Sequence, residues 1–232
     1  GKYQIKIIEN GLFALDGGAM FGIIPKPLWE RTNSPDEKNR ITLAARSLLL
    51  DSGSRKILID TGMGDKWDEK GKSIYRYEFR ENILFESLKQ AGYTPGDITD
   101  VLLTHLHFDH CGGSTLLLDG KLQPAFPNAK YHVQKNNYNW GIDASERDRG
   151  SYLQENFQPL MEEGVLLLRE ADDEQFDDEI QLPTFHGHTF FQQLPLISDG
   201  NTTLFFCGDL FPTSSHVPLP YIMGYDLQPV QT

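Results

Sequence analysis

Short apolar stretches separated by polar turns predict a chain rich in β-strands. Residues 2–10, KYQIKIIEN, alternate apolar and polar positions, which is the period of a half-buried strand. Two apolar runs flank the DSGS turn at residues 51–54, and this arrangement predicts a β-hairpin. Further strands are predicted in the later stretches DVLLTH, AKYHVQ, GVLLLRE, IQLPTFHGH, FQQLPLIS and TTLFFCGD.

One helix and three irregular segments complete the pattern. Residues 81–93, ENILFESLKQAGY, have apolar side chains at helical spacing, and Gly92 fits the C-terminal cap. Gly and Pro residues punctuate residues 15–29, LDGGAMFGIIPKPLW, which predicts a shaped loop. Residues 64–78 are predicted to form a polar connection, and the polar, aromatic residues 136–156 have no clear assignment.

The order of these elements favours an α+β fold. Many short strands alternate with helices, but no strict strand–helix–strand period recurs along the chain. Elements of this kind bury their apolar faces by packing in layers around a shared core. We therefore expect two mixed β-sheets packed face to face, with helices outside.

The charge and the cysteine content narrow the class of protein. The 33 acidic residues outnumber the 21 basic residues, so the formal net charge is −12 at pH 7. Such a surface repels phosphate backbones and argues against nucleic acid as a partner, although the same charge also serves solubility alone. No run of about 18 apolar residues is present, so no membrane partner is predicted. The two cysteines form no disulfide framework and favour a reducing, cytoplasmic location.

The strongest candidate for chemistry is the segment THLHFDH at residues 104–110. His105, His107, Asp109 and His110 can all bind metal, and they directly follow a predicted strand. Because a strand directs residues i and i+2 to the same face, His105 and His107 are expected to converge on one ion. A turn after them would direct Asp109 and His110 to a second ion. Imidazole and carboxylate ligands suit zinc, iron, manganese or cobalt. The alternative is a chance cluster of histidines in a loop.

The segment THLHFDHCGG resembles the HxHxDH signature of the metallo-β-lactamase superfamily, whose fold is an αβ/βα sandwich. Three further motifs resemble this family in the same order: IDTG at residues 59–62, GHT at 187–189 and FCGD at 206–209. Within the family, the segments LDGGAMFGIIPKPLW and GDLFPTSSHVPLPYIMGYD resemble the quorum-quenching lactonases, which hydrolyse N-acyl homoserine lactones. The resemblance implies a metal-dependent hydrolase.

The resemblance also implies a dinuclear site with two divalent ions, zinc first, with manganese, iron or cobalt as alternatives. Asp60 would hydrogen-bond a ligand and fix its orientation, although a carboxylate at this position also caps turns. The residues implied as ligands are His105, His107 and His188 for the first ion, Asp109 and His110 for the second, and Asp209 as the bridge between them.

The implied reaction is the opening of a small lactone or ester by water that the ions activate. Asp109 would pass a proton to the leaving alkoxide. The sequence has no GxSxG nucleophile motif, which also favours attack by water. Two alternatives stay open. One is a phosphoester, organophosphate or thioester hydrolase on the same fold, and the other is a metal-binding member without catalysis. The oligomeric state is not indicated.

Several residues outside the metal motif are candidates for a substrate pocket. Met20, Phe21 and Trp29 are expected to line an apolar pocket over an acyl chain, with an ordinary core position as the alternative. His216 is expected to line this pocket or to bond a metal ligand, with a plain position in a loop as the alternative. His186 is expected to pack near the site without binding metal.

The C-terminal end of the chain departs from the family pattern. The second metal in this family takes a further histidine well downstream of the bridging Asp. Here 23 residues follow Asp209, and His216 is the one histidine among them. We therefore expect one domain over residues 1–232 that is truncated before the family's last structural element, with a naturally shortened member and a weakened second metal site as the alternative.

Overall fold

Two main β-sheets form the frame of the molecule. The computed structural model describes residues 1–77, 80 and 82–232. The strands are, in chain order, β1 Gln4–Asp16, β2 Arg40–Asp51, β3 Lys56–Ile59, β4 Asp100–Leu102, β5 Thr115–Leu118, β6 Lys121–Pro124, β7 Lys130–Gln134, β8 Leu166–Arg169, β9 Glu174–Asp177, β10 Ile180–Leu182, β11 Thr184–Phe185, β12 Gln192–Gln193, β13 Leu196–Ser198 and β14 Thr203–Phe205.

Seven short α-helices lie between the strands of the described residues. They are α1 Gly17–Phe21, α2 Lys26–Trp29, α3 Glu69–Tyr75, α4 Ile83–Gln90, α5 Phe108–Cys111, α6 Lys135–Ile142 and α7 Gln158–Glu162. Single 3-10 turns occur at Pro95–Asp97, Gly112–Ser114, Arg149–Ser151, Gln154–Asn156, Gly208–Leu210 and Ser214–His216. No helix among the described residues has the length and apolar character needed to cross a membrane.

Both antiparallel and parallel pairs occur in the larger sheet. Its strand order is β1-β2-β3-β4-β7-β8, and that of the smaller sheet is β14-β13-β10-β9. Strands β1 to β3 pair antiparallel, whereas β3, β4, β7 and β8 pair parallel. The pairs β5–β6 and β11–β12 form two small separate ribbons. The expectation of a mixed sheet is confirmed for the larger sheet, whereas the described strand pairs of the smaller sheet are all antiparallel.

The two main sheets pack face to face through an apolar layer. Alternate residues of a strand face opposite sides of its sheet, so Ile57 and Ile59 of β3 share one face. Together with Leu102 of β4, these side chains pack against Ile180 and Ile197 of the smaller sheet. The αβ/βα sandwich that the sequence predicts is confirmed.

The opposite face of the larger sheet is covered by helices. Leu58 of β3 and Val101 of β4 point to this side and pack with Leu84 and Leu88 of α4 and Leu160 of α7. Because both faces are covered there, the end of β2 at residues 48–50 and most of β3 are continuous apolar runs rather than alternating ones.

Several local expectations from the sequence are confirmed, and others are wrong. The hairpin β2–β3 forms around the DSGS turn. The helix expected over residues 81–93 is α4 in its described part, since Glu81 lies outside the described residues. The loop expected at residues 15–29 was wrong, because α1 and α2 lie there and the Asp16 side chain caps α1 by accepting from the Ala19 N–H.

Three more elements were missed from the sequence. The polar connection at residues 64–78 contains α3, whose first turn is capped by Asp68, and Glu78 of this segment lies outside the described residues. The unassigned segment at residues 136–156 contains most of α6. The ribbon β5–β6 turns at Asp119 and Gly120, both with positive φ, and this Asp-Gly pair is a hairpin signal that the periodicity argument overlooked.

The parallel pair β3–β4 brings the ends of two strands to one edge of the larger sheet. Asp60 directly follows β3, and the segment from Thr104 to His110 follows β4 after one further residue. The loops after β11 and β14 approach the same edge, and the Gln193 N–H of β12 donates to the Thr104 carbonyl at 2.9 Å. Polar side chains from four separate segments of the chain therefore meet at this edge.

Leu102→Ala should destabilise the protein by about 2–5 kcal/mol, because it leaves a cavity between the two sheets where Leu102 is fully buried. Leu117→Ala on the ribbon β5–β6 is the matched control, since that leucine is 63% exposed. Its free energy of unfolding should change by less than about 0.5 kcal/mol. Urea unfolding measures both, and equal losses would contradict the assigned core.

Candidate metal centre

Two groups of side chains that can bind metal meet at this edge and share one carboxylate. The first contains His105, His107, His188 and Asp209, and the ligand atoms within it all lie within 4.8 Å of one another. The second, with the same spacing, contains Asp109, His110 and Asp209. The structure thus brings together all six residues that the family resemblance implies as ligands, from segments up to 104 positions apart in the chain.

The metal motif is held by a loop and a helix start rather than by a strand. The expectation that His105 and His107 share a strand face was wrong, because β4 ends at Leu102. His107 has extended backbone geometry and caps the N-terminus of α5, which places Asp109 and His110 in the first helical turn. The Asn137 side chain fixes this loop by accepting a hydrogen bond from the Leu106 N–H at 3.1 Å.

Asp209 lies between the two groups. One carboxylate oxygen is 3.0 Å from His110 Nε2, and the other is 3.1 Å from His188 Nε2. His188 Nε2 is also 3.0 Å from His107 Nδ1. The Nε2 atom of buried His105 has no hydrogen-bond partner among the described residues. Buried polar atoms are almost always satisfied, so converging imidazole nitrogens of this kind fit a divalent cation.

The four histidines divide into two electrostatic classes. Burial and the neighbouring imidazoles hold the pKa of His105 and His107 well below the usual value, so both are neutral, which is the form that binds metal. Burial also lowers the pKa of His188 and His110, but adjacent carboxylates outweigh it. Asp209 and Asp226 raise the pKa of His188 to about 9. Asp209, Asp109 and Asp60 raise that of His110 well above its usual value.

Asp60 ties the second group to the frame. Its carboxylate accepts hydrogen bonds from the Thr104 N–H at 2.8 Å and the Thr104 hydroxyl at 2.9 Å. Its Oδ2 atom also lies 2.8 Å from His110 Nδ1, which directs His110 Nε2 toward Asp209. Asp60 has a φ of 57°, a left-handed conformation that costs free energy in a residue other than glycine. Asp60 therefore connects the Thr104 backbone to the His110 ring, in addition to lying at a turn.

Asp226 is a site residue that the sequence reasoning missed. Its buried carboxylate lies 3.0 Å from His188 Nδ1. The following segment is fastened to the same loop, because the N–H groups of Leu227 and Gln228 donate to the carbonyls of His188 and Gly187. Asp226 ends the segment that resembles the lactonases, and that was its one signal in the sequence. Asp226 lies 38 positions after His188, so the contact between them could not be read from the sequence.

A cavity of about 630 Å³ opens over the two groups. His107, Asp109, His110, His188 and Asp209 form part of its wall. Its apolar wall includes Phe13, Leu15, Met20, Leu43, Phe108 and Met223. Met20 therefore contributes to the cavity as expected of a pocket residue.

Phe21, Trp29 and His216 do not line this cavity, which corrects the expectation for all three. Phe21 is fully buried and stacks on Trp29 with the ring centroids 5.1 Å apart, because α1 and α2 turn these rings toward the core. His216 stacks on the other side of Phe21 at 4.7 Å, and its Nε2 lies 2.8 Å from the Met20 carbonyl oxygen. His216 contacts no candidate ligand among the described residues. His186 likewise lies outside both groups, with Nδ1 accepting from the Phe191 N–H at 3.3 Å.

Comparison with known proteins assigns the family. The family model described as the metallo-beta-lactamase superfamily matches residues 41–231. The chain belongs to this superfamily. Members of it that resemble the chain include a probable metallo-hydrolase from Mycobacterium tuberculosis, 26% identical over 192 residues, which are 74% of this chain and 58% of the relative. The chain thus spans less than two thirds of that relative's length.

The chain is also similar to a lactonase in sequence and to a solved hydrolase structure. An N-acyl homoserine lactonase from Bacillus thuringiensis is 29% identical over 108 residues, which are 42% of this chain and 39% of the lactonase. The crystal structure of a probable metal-dependent hydrolase from Staphylococcus aureus matches with a TM-score of 0.91 and 29% identity. That match covers 100% of this chain and 81% of the other. The family and the His/Asp cluster together indicate that the chain binds divalent metal.

Asp226→Asn should weaken metal binding about 10- to 100-fold, because His188 loses the carboxylate that holds its ring. Competition with a chromogenic chelator measures the affinity without any assay of activity. Asp143→Asn is the control, since Asp143 is exposed at the end of α6. Equal affinities in the two variants would show that Asp226 does not orient His188.

Metal affinity should rise between pH 6 and pH 9. In the metal-free protein His188 has a pKa of about 9, so it is protonated at pH 7 and must lose a proton to bind metal. Affinity should increase by about tenfold per pH unit for each proton released. Chelator competition at each pH, with proton release followed by an indicator dye, checks this.

The same titration affects the stability of the metal-free protein. A raised pKa means that the contribution of protonated His188 is fully present below pH 6.5 and is lost as the pH rises through about 9. The unfolding midpoint of the metal-free protein should therefore fall between pH 7 and pH 9.5. A flat profile in both measurements would contradict the assigned protonation.

Proposed function

We propose that the protein is a metal-dependent hydrolase that opens lactones and related esters of small molecules. The observation that carries this proposal is the pair of ligand groups that share Asp209 at the wall of a cavity lined largely by apolar side chains. The similarity to an N-acyl homoserine lactonase supports the lactone as the bond that is cleaved. The volume of this cavity, about 630 Å³, lies within the range of small-molecule sites.

The residues suit a dinuclear centre, with zinc as the proposed metal. His105, His107 and His188 would hold one ion, Asp109 and His110 the other, and Asp209 both. Divalent ions in such a centre lower the pKa of water and polarise a carbonyl group, which is the chemistry that ester hydrolysis requires.

The protein side chains place the substrate and move the proton. The apolar wall of the cavity, which includes Phe13 and Met223, would bury an acyl chain and exclude water from the reacting ester. Asp109 lies at the cavity, and its burial raises its pKa. A carboxyl group of this kind is suited to carry a proton to the leaving alkoxide. Asp60 and Asp226 would keep His110 and His188 oriented during the reaction.

A cytoplasmic location remains part of the proposal. Cys111 and Cys207 are both free thiols, with Cys111 buried and Cys207 half-buried.

Burial raises the pKa of each thiol, so neither is an activated nucleophile. This supports attack by water rather than by a cysteine.

A substrate screen tests the proposed reaction. The zinc-loaded protein should hydrolyse N-acyl homoserine lactones or simple aryl esters faster than phosphotriesters, phosphodiesters and thioesters. A pH-stat assay measures lactones, and released chromophores measure the others. Exclusive activity on a phosphoester or thioester would replace the proposed bond class, and no activity on any class in the metal-loaded protein would contradict a catalytic role.

Asp209→Asn should lower kcat/KM by about 10²- to 10³-fold, because it removes charge that is needed between the two ligand groups. His186→Ala is the matched control, since this histidine lies two residues before His188 but outside both groups. Its kcat/KM should change less than about tenfold. Metal content measured on the same samples separates lost binding from lost catalysis, and the reverse order of effects would overturn the assignment.

A further inference from the structure

Two arginine side chains line the cavity, and they differ in their partners. Arg46 forms an ion pair with Glu9 at 2.9 Å, so its charge is already matched. Arg147 has no carboxylate within 4.0 Å among the residues that the structure describes. Within the described part of the chain, it is therefore the arginine of this cavity that forms no ion pair.

Arg147 is nonetheless held in a defined place. Its Nη2 atom donates to the carbonyl oxygens of Gly224 at 2.7 Å and Asp226 at 3.3 Å. These carbonyls belong to the segment whose Asp226 carboxylate contacts His188. The guanidinium is thus anchored to the same segment that supports the candidate metal centre. Its Nε and Nη1 atoms donate to no described residue.

An anchored guanidinium with unused donors is a recognition element for oxyanions. Arginine stays protonated at every physiological pH, and its planar fork matches carboxylate and phosphate groups. The chain carries a net charge of −12, which opposes the approach of anions from a distance. The carboxylates of Asp60, Asp109, Asp148 and Asp209 also line the cavity, so a fixed cation on its wall offers an anionic substrate group a partner of opposite sign.

We propose that Arg147 binds an oxyanion of the substrate, either a carboxylate or a phosphate, at a position remote from the ester that is cleaved. The substrate class is then an acidic ester or lactone, with its reactive carbonyl at the metal centre and its anion at Arg147. This inference rests on the proposed hydrolase function and narrows its substrate.

Matched substrates test the charge preference directly. Mono-4-nitrophenyl adipate carries a terminal carboxylate, and 4-nitrophenyl 6-methylheptanoate is its neutral isostere. A third ester with a terminal phosphate separates the two oxyanions. The metal-loaded wild-type protein should show a lower KM for at least one anionic ester than for the neutral one. A KM for the neutral ester that equals or undercuts both anionic values would overturn the proposal while leaving the hydrolase function intact.

Variants assign the preference to one side chain. Arg147→Gln should raise KM for the preferred anionic ester about 10- to 100-fold and leave the neutral ester within about twofold. Arg147→Lys should recover part of the loss because it keeps the charge. Arg149→Gln is the control, since Arg149 lies in the same turn, pairs with Glu146 and does not line the cavity. Equal losses on charged and neutral esters would show that Arg147 only clamps the segment at Gly224.

A binding measurement keeps the inference independent of turnover. The uncleaved amide N-butyl adipamate carries the same terminal carboxylate, and titration calorimetry gives its Kd for the zinc-loaded protein. Binding that weakens about tenfold or more in Arg147→Gln, but not in Arg149→Gln, supports the oxyanion site even if no ester is hydrolysed. Unchanged binding overturns it. Thermal unfolding of each variant confirms that the compared proteins are folded.

Discussion

The carboxylate of Asp209 is the contact on which the candidate centre depends. Its two oxygens lie 3.0 and 3.1 Å from the Nε2 atoms of His110 and His188. His110 lies in α5, which follows β4 of the larger sheet, and His188 lies in the loop between β11 and β12 of a separate ribbon. One negative side chain thus links two segments that belong to different parts of the fold. Without the Asp209 carboxylate, the imidazoles of His110 and His188 would lose a negative partner that stabilises their protonated forms in this buried site.

A second carboxylate stands behind each of these histidines. Asp60 contacts Nδ1 of His110, and Asp226 contacts Nδ1 of His188. Buried charges are costly unless they are paired and hydrogen-bonded, so this alternation of carboxylate and imidazole compensates the burial of the cluster. It also leaves the Nε2 atoms directed at the shared space. His105 and His107 are arranged differently, since burial and their imidazole neighbours keep them neutral.

The cavity combines walls from strands with walls from connecting segments. The apolar wall comes from β1, β2 and the segments around Met20 and Met223, whereas a polar wall comes from the turn that contains Arg147. Connecting segments at a sheet edge can carry different side chains without altering the packed layers beneath. A shared fold therefore assigns the metal chemistry more firmly than it assigns the substrate.

The sequence by itself indicated the strands of the layers and, through its resemblance to the family, the six candidate metal ligands. Three of these features are local patterns: the apolar strands, the hairpin at residues 51–54 and the dense motif at residues 104–110. A local pattern can be recognised from the sequence because its residues are neighbours in the chain. Tertiary structure decided the rest. Phe21 and Trp29 are apolar in either setting, and only the turn of α1 and α2 determined that they face the core rather than the cavity. The contacts of Asp226 with His188 and of Arg147 with Gly224 carry no local signal, because the partners are distant in the chain and such contacts exist only once the sheets have packed.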